Sequence, residues 1–383
     1  MKKFASSAPY FLSILSLGLF SALIGPSLPG LAENTGAALD RISLIFILNS
    51  LGYLLGSLLG GRAYDRIPGH RILSLSLLGL FLSGALIPLS GQLFWLLVTL
   101  FTLGLAQGVI DVGCNTLLLW AHDQESGPYI NGLHFFFGVG SSLSPLILAG
   151  VLSLAGGIQW AYWIISLSCL PLAIWLWFLP DPPAPPETRG LKTRRPVPIV
   201  PVAVLALAFT LYVGAEVGFG SWIYTYGLKL GLGTEITAAY LTSAFWGIFT
   251  LGRLGGIWIS TKIRPQTVLV IDLLGCIFSL SLLPMFPGSR TALWIGTIGT
   301  GLFMASVFPS ILLLGRERLT ITGAVTGWFL VGSGLGGMIL PWAIGLAFTG
   351  IGASALPGFV LSAISLDLVI ILLFSRRSFP AAS

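Results

Sequence analysis

The sequence predicts an all-α membrane protein with twelve transmembrane helices in two six-helix parallel repeats. Three observations predict this class: the composition, the distribution of basic residues and an internal repeat. Only 8% of the 383 residues are charged, compared with about 25% in soluble domains, and the mean hydropathy is +0.95. This composition excludes a soluble globular protein.

Twelve apolar runs are long enough to span a bilayer, which takes roughly 20 residues. The first run follows Met1-Lys2-Lys3, and we interpret it as a membrane helix because it is longer than the roughly 7–15-residue core of a signal peptide. The runs lie near residues 8–28, 42–61, 72–89, 93–119, 129–154, 160–179, 200–227, 236–259, 266–284, 291–314, 322–348 and 355–374.

The 19 Lys and Arg residues are distributed unevenly over the predicted loops and tails. If the N-terminus is cytoplasmic, only Arg41, Lys229 and Arg290 fall on the opposite side, and the other 16, Arg253 among them, fall on the cytoplasmic side. Because Lys and Arg concentrate on the cytoplasmic side of membrane proteins, the net charge of +6 indicates topology. We therefore expect both termini in the cytoplasm and no nucleic-acid partner.

A stretch rich in proline and basic residues, Pro180–Pro198, separates the sixth run from the seventh. Such a composition is typical of a stiff, extended linker. We therefore predict an N-terminal six-helix bundle over residues 1–179, a cytoplasmic linker over 180–199 and a C-terminal six-helix bundle over 200–383.

The two predicted bundles are related by a constant offset of 196 residues. Helices one and seven, and helices six and twelve, match poorly at this offset, so the sequence repeat is partial. Parallel repeats are typical of transporters that bind their substrate near the midplane between the halves and work by alternating access. The coinciding glycines and prolines include Gly56 with Gly252, Gly60 with Gly256, Gly127 with Gly323, Gly138 with Gly334, and Pro145 with Pro341.

The second predicted helix has a glycine-lined face. Gly52, Gly56 and Gly60 recur every four residues, so they lie close together on one side of the helix. Small residues let membrane helices approach closely where no hydrophobic force drives them together. The sequence therefore predicts a close helix contact along this glycine seam.

A charged turn follows the glycine seam, and we predict that it acts as a conformational latch. Asp65 would pair with a basic residue or a helix N-terminus, whereas the alternative is that it only caps and orients the loop. Thr261 stands at the matching position of the second repeat, so only the first repeat would have the latch. The latch residues are Gly61, Asp65, Arg66, Gly69 and Arg71.

The fourth predicted helix carries Gln107, Asp111 and Asn115 at four-residue spacing, which forms one polar stripe. A charged side chain at the centre of a bilayer costs about 2.5–3.5 kcal/mol on insertion scales, so Asp111 indicates a functional site. We predict that all three bind substrate and that Asp111 also couples to an ion. The alternative is that Asp111 pairs with a neighbouring helix without a function.

Further candidate substrate-binding residues lie on helices five, seven and eight. On the fifth helix, Asn131 and His134 are candidates, although an intramembrane His often makes only a packing hydrogen bond. A carboxylate near aromatic faces suits a sugar, but Trp and Tyr also collect at membrane interfaces. We assign ion coupling to His134 and Glu216 as well, and count Asn49 and Trp328 as weaker candidates. The candidates on helices seven and eight are Glu216, Trp222, Tyr226 and Trp246.

Sequence motifs of common enzymes are absent. The chain has no GxxxxGK[ST], HExxH, CxxC or GxSxG pattern. Cys114, Cys169 and Cys276 lie within apolar runs, and we interpret them as small apolar residues of the core. We expect no catalytic residue, no cofactor and no metal site.

The charged turn from Gly61 to Arg71 resembles the loop signature of the major facilitator superfamily. DVGCNTLLLW in the fourth helix and YVGAEVGFGSWIYTY in the seventh resemble the fucose:proton symporter family, in particular its sodium-dependent glucose transporter-like branch. This resemblance implies a twelve-helix sugar carrier driven by a cation gradient. In the fucose carriers, an acid followed four residues later by Asn is associated with sugar binding and proton coupling, and Asp111 and Asn115 match that pattern. In the same fold the ninth and twelfth helices stand at the periphery, so we leave Asp272 and Asp367, which lie on them, out of the site.

We therefore expect a secondary active transporter for a small polar solute, first of all a monosaccharide, with a proton or sodium ion as its partner. We expect it in the lipid bilayer of the cell inner membrane as a monomer. Two alternatives remain open. One is an exporter of drug-like or metabolite molecules, and the other is a membrane receptor that binds a solute without transporting it.

Overall fold

The computed structural model describes residues 2–64, 66–122, 127–182, 199–259, 262–319 and 323–376. Within these ranges the regular structure is helical, and strands are absent. Two short 3-10 turns, Ile87–Leu89 and Gly352–Ser354, accompany the α-helices. The helices are α1 (Lys2–Thr35), α2 (Leu39–Ile42), α3 (Leu44–Tyr64), α4 (Gly69–Leu86), α5 (Leu93–His122), α6 (Gly127–Ala155), α7 (Ile158–Phe178), α8 (Ile199–Lys229), α9 (Glu235–Ile259), α10 (Pro265–Met285), α11 (Arg290–Met304), α12 (Val307–Arg318), α13 (Gly323–Ile351) and α14 (Ala355–Arg376).

Ten segments of the described residues are long and apolar enough to cross a membrane. One of them, Val325–Arg376, contains the two successive helices α13 and α14. Helix α9 adds a further 25 residues, about 37 Å of helix, which exceeds the roughly 30 Å of a hydrocarbon core. The predicted fold class, an all-α membrane protein with twelve spans, is confirmed.

The chain forms two compact units. Unit 1 comprises Met1–Ala38 and Ile47–Thr193, and unit 2 comprises Leu39–Phe46 and Arg194–Ser383. The short segment Leu39–Phe46 packs within unit 2, where the Phe46 ring lies 6.1 Å from the Trp222 ring. Most of the predicted linker lies outside the described residues, so the linker and the exact domain boundaries stay predictions.

The helix boundaries follow the 196-residue offset through both units. Helix α6 begins at Gly127 and ends at Ala155, and α13 begins at Gly323 and ends at Ile351, so both boundaries differ by 196. The packing partners repeat as well: α1 packs against α6 as α8 does against α13, and α4 packs against α7 as α10 does against α14. The structural repeat therefore includes the helices whose sequences match poorly.

The tenth predicted span is confirmed as a membrane span, Arg290–Glu317, but it consists of two helices. Helix α11 ends at Met304 and α12 begins at Val307. Pro309 lies in the first turn of α12, where its ring would clash with the carbonyl of residue 305 if the helix were continuous. The helix end is stabilised by Tyr212, which donates its hydroxyl to the Met304 carbonyl at 2.6 Å.

The glycine seam on α3 makes the predicted close contact, and its partner is α5. A Cβ atom on Gly56 would lie 2.8 Å from the Leu105 carbonyl carbon and 2.9 Å from its Cα. In return, a Cβ on Gly108 would meet the backbone of Tyr53 and, at 2.7 Å, the Ser57 nitrogen. The two helices therefore pack backbone against backbone, and only glycine fits at these positions.

Candidate functional site

The glycine seam brings a tyrosine of α3 to the acidic residue of α5. Tyr53 lies between Gly52 and Gly56, and it donates its hydroxyl hydrogen to Oδ2 of Asp111. The other carboxylate oxygen, Oδ1, accepts from Nδ2 of Asn115 at 3.1 Å. Both oxygens of Asp111 are therefore hydrogen-bonded, as a carboxylate inside a membrane requires.

The polar stripe continues one turn before Asp111. Gln107 accepts a hydrogen bond from Asn49 Nδ2 at 3.2 Å and donates from Nε2 to the Ser21 hydroxyl at 3.2 Å. Three helices, α1, α3 and α5, therefore contribute to one polar cluster. We define the site cluster of unit 1 as Ser21, Asn49, Tyr53, Gln107, Asp111 and Asn115.

The site cluster is only partly enclosed within unit 1. Gln107 is 2% exposed and Tyr53 is 36% exposed, whereas Asp111 and Asn115 are intermediate. The cluster thus has a buried end, where the amide of Gln107 fixes the geometry, and an accessible end near Asp111. Carboxylates accept hydrogen bonds, and amides both donate and accept, so the accessible end can bind a molecule rich in hydroxyl groups.

Helix α6 adds His134 to the surroundings of Asp111. The side chains of Asn131 and His134 are both exposed within the unit, and His134 lies within electrostatic reach of the Asp111 carboxylate. By contrast, Ser141 and Ser142 donate their hydroxyls to carbonyls of their own helix, Phe137 at 3.0 Å and Gly138 at 2.7 Å. On α6, the group coupled to the site cluster is therefore His134.

Unit 2 has a second polar cluster, at Glu216 of α8. Glu216 is partly exposed, and both Tyr212 and Arg253 interact with its carboxylate. Arg253 also lies over the Phe249 ring, with 4.4 Å between the guanidinium carbon and the ring centroid. The buried Nε atom of Arg253 has no hydrogen-bond partner, so this basic group has an unused donor near an acid.

The position of Arg253 differs from the one predicted. The sequence placed it among the basic residues on the cytoplasmic side, but it lies inside α9, which continues to Ile259. A charged side chain inside a membrane helix is expensive unless it is paired, and here the carboxylate of Glu216 and the ring of Phe249 compensate the charge. Arg253 therefore belongs to the polar interior of unit 2.

The aromatic candidates of unit 2 are deeply packed. Trp222 is 0% exposed, donates its Nε1 hydrogen to the Pro341 carbonyl at 2.8 Å and stacks on Phe348. Tyr226 is 3% exposed. Trp246 is 8% exposed, and its buried indole nitrogen has no hydrogen-bond partner. Of the three, Trp246 has a donor available for a bound solute.

The charged turn of unit 1 is partly described. Asp65 lies outside the described residues, so its pairing stays a prediction. Arg66 donates its backbone N–H to the Ala63 carbonyl at 3.0 Å, a Cβ on Gly69 would meet the Leu117 side chain, and Arg71 lies 6.0 Å from the centroid of the Trp177 ring. Gly61, at the end of the glycine seam, would have only a Val112 methyl, at 4.0 Å, near an added Cβ.

Sequence reasoning missed Tyr53 and Arg253. Tyr53 follows Gly52 directly. A side chain beside the glycine seam lies close to the neighbouring helix, so this position could have indicated a contact across helices. Arg253 lies within a predicted span, six residues before its end, which was also a usable signal. Which acid each one meets could be learned only from the packing of the helices.

Comparisons with known proteins agree with this architecture. A model of the Major Facilitator Superfamily matches residues 10–341. The chain is 31% identical over 354 residues to sodium-dependent glucose transporter 1 of Xenopus laevis, an alignment that covers 85% of this chain and 72% of that protein. It is 30% identical over 377 residues to sodium-dependent glucose transporter 1A of Mus musculus, with 88% of each chain covered.

The crystal structure of a D-xylose-proton symporter matches with a TM-score of 0.80 at 16% identity, and the match covers 99% of this chain and 98% of that chain. At this identity, the likeness shows the fold alone. The relatives named above are transporters rather than enzymes. The protein is a multi-pass membrane protein that belongs to the Major Facilitator Superfamily and, within it, to the group of sodium-dependent glucose transporter-like proteins.

Proposed function

We propose that this protein is a secondary active transporter that moves a monosaccharide across the cell inner membrane by alternating access, coupled to a proton or sodium gradient. The observation that carries the proposal is the partly exposed Asp111 carboxylate, held by Tyr53 and Asn115 inside a membrane helix. The relatives of this chain are sodium-dependent glucose transporters, which supports a sugar as the solute.

The site cluster of unit 1 suits a solute that carries several hydroxyl groups. Asp111 accepts hydrogen bonds from sugar hydroxyls, and Asn115 both donates and accepts. Gln107 is buried and already bonded on both of its polar atoms, so it orients its neighbours. Asn131 and Trp246 are further candidates for contacts with the solute.

Ion coupling is proposed for Asp111, His134 and Glu216. Each is an ionisable group inside a membrane helix, where a change of charge has a large energetic effect. The relatives are sodium-dependent transporters, whereas the protein of similar fold is a proton symporter. Either ion is therefore a candidate for coupling.

The orientation and the assembly are part of the same proposal. The uneven distribution of Lys and Arg supports cytoplasmic termini, and we propose that the protein works as a monomer. We also retain the charged turn with Asp65 as a latch that stabilises one conformation.

Uptake into proteoliposomes tests the proposal. The purified protein is reconstituted, and a panel of labelled hexoses is added with an imposed pH gradient, a sodium gradient or no gradient. We expect concentrative uptake of one sugar under one gradient, and loss of that uptake in Asp111→Asn with the protein still folded. Glu33→Gln, a change of an exposed carboxylate on α1 outside the site cluster, is the matched control.

The absence of uptake for every hexose, in protein shown to be folded, would contradict sugar symport. Efflux of a drug-like molecule or binding without flux would then favour the exporter or the receptor. Unchanged accumulation by Asp111→Asn would remove Asp111 from the coupling mechanism while leaving sugar transport in place.

A further inference from the structure

Unit 2 contains a buried acidic residue that the proposed sugar site does not use. Asp367 lies in the middle of α14 with 0% exposure, and both of its carboxyl oxygens lack a hydrogen-bond partner. An ionised carboxylate in such a place would lose its hydration without receiving donors in return, which is among the most costly arrangements in a protein. A protonated carboxyl avoids most of that cost.

A second acid lies on the neighbouring helix α10. Asp272 is 7% exposed, and its Oδ2 accepts a hydrogen bond from the Ser306 hydroxyl at 2.5 Å. Cys276, one turn after Asp272, is fully buried and within electrostatic reach of both Asp272 and Asp367. Both acids therefore lie near Cys276, in the region where α10 packs against α14.

The titratable groups around Asp367 come from a small number of helices. Helices α8, α10 and α13 pack against α14. Helix α13 has no titratable side chain, and α10 contributes Asp272 and Cys276. Helix α8 carries Tyr212 and Glu216 near its middle and Tyr224, Tyr226 and Lys229 near its end, and of these Tyr212 is within electrostatic reach of Cys276. In the described part of the chain, no basic side chain pairs with Asp367.

A metal ion is a poor occupant of this interior. No group of three or more His, Cys, Asp and Glu side chains that could hold a metal occurs among the described residues. Hard cations are bound by several oxygen ligands at once, whereas no polar partner reaches the carboxyl oxygens of Asp367. A proton needs only one oxygen.

We propose that Asp367 is a second proton-binding site, in unit 2, with Asp272 as its neighbouring acid, and that Asp367 carries the proton in this conformation. Release breaks one O–H bond of the Asp367 carboxyl and leaves a carboxylate, and the proton forms a new O–H bond on water. Asp272 connects to the break between α11 and α12 through Ser306.

The break gives this pair a route to the Glu216 cluster. Tyr212, which interacts with Glu216, donates to the Met304 carbonyl at the end of α11, two residues before Ser306. A rearrangement of the broken helix would therefore change the hydrogen bonds of Tyr212 and Asp272 together. The role of this pair in coupling rests on the proposed sugar transport, but proton binding by Asp367 does not.

Infrared spectroscopy tests proton binding without any transport. The purified protein is labelled with ¹³C-aspartate, and the carbonyl stretching band of protonated aspartate is recorded at neutral pH. We expect such a band, and we expect Asp367→Asn to remove it while Asp181→Asn, a change of the aspartate that follows α7, keeps it. Asp272→Asn should also keep the band, because Asp367 carries the proton.

Two results would overturn the proposal. The first is an unchanged protonated-aspartate band in folded Asp367→Asn. The second is loss of the band on addition of sodium at constant pH, since sodium would then occupy the site. If Asp367→Asn does not fold, Asp367→Glu replaces it, because glutamate keeps a carboxyl but does not carry the aspartate label. The labelled band should then disappear, and a labelled band that remains counts against the proposal.

A transport measurement tests the coupling role separately. In proteoliposomes, Asp367→Asn should retain exchange of sugar across the membrane at equal pH but lose at least tenfold in accumulation driven by a pH gradient. Accumulation equal to that of the wild type would refute coupling through Asp367. If Asp367 is protonated but the protein transports no hexose, the proton-binding site is supported and the proposed function is refuted.

Discussion

Replacing Gly56 by alanine places a methyl group against the backbone of Leu105, where α3 and α5 touch. The added Cβ would lie 2.8 Å from the Leu105 carbonyl carbon and 2.9 Å from its Cα, and it would also meet the Leu105 carbonyl oxygen. Favourable carbon contacts lie at about 3.5–4.0 Å. The two helices would therefore have to separate by about 1 Å, because backbone atoms cannot rotate away as a side chain does.

The expected magnitude follows from two opposing effects. Overpacking of a dense interior costs about 1–3 kcal/mol, occasionally more, and the backbone contact puts Gly56 at the upper end. Alanine in place of glycine favours the helix by about 1 kcal/mol. We therefore expect a net loss of stability of about 2 kcal/mol. Separation of α3 from α5 should also break the hydrogen bond between Tyr53 and Asp111, so transport should fall.

Gly150→Ala is the matched control for this change. Gly150 lies on α6 of the same unit, and no heavy atom lies within 4 Å of a Cβ added there. This control should be neutral or slightly stabilising, because only the helix propensity changes. Thermal unfolding of the purified protein, followed by tryptophan fluorescence, and sugar uptake into proteoliposomes are measured for both variants.

An unfolding temperature of Gly56→Ala equal to that of the wild type, together with sugar uptake equal to that of Gly150→Ala, would contradict this expectation. The seam would then have room for a methyl group, and the α3–α5 contact would not position Tyr53. A stable Gly56→Ala with reduced uptake would instead separate the two effects, since it would mean that the helices shift without loss of folding energy.

Four further substitutions and one double variant test single contacts. Tyr53→Phe removes one hydrogen bond to the charged Asp111, worth about 1.5–3 kcal/mol, so the sugar concentration for half-maximal uptake should rise at least tenfold, and unchanged kinetics would contradict this role. Arg253→Gln and Glu216→Gln should each reduce uptake. The double variant should lose less uptake than the sum of the two single losses, because each single change leaves one charge without its counterpart. Additive losses would contradict an interaction between Arg253 and Glu216. Trp222→Phe loses the hydrogen bond to Pro341, so the unfolding temperature should fall with about 1 kcal/mol of stability while the sugar affinity stays constant; a changed affinity would put Trp222 in the site.

Much of the fold follows from the sequence through local rules. A span must hold about 20 apolar residues, and charged or Pro-rich breaks separate the spans, so the predicted boundaries lie close to those of the helices. Gly52, Gly56 and Gly60 predicted a close contact because their spacing alone places them on one face. The stripe of Gln107, Asp111 and Asn115 followed from the same periodicity.

The sequence by itself thus determined the spans and the repeat, which depend on the order of residues along the chain, and the glycine face and the polar stripe, which depend on spacing along one helix. Only the tertiary structure decided the partners across helices: Tyr53 with Asp111, Arg253 with Glu216, and Ser306 with Asp272. It also revealed that Asp367 is buried without a partner. The physical reason is that helix periodicity fixes which face a residue occupies, whereas the rotation and depth at which two helices meet depend on all their packed side chains together.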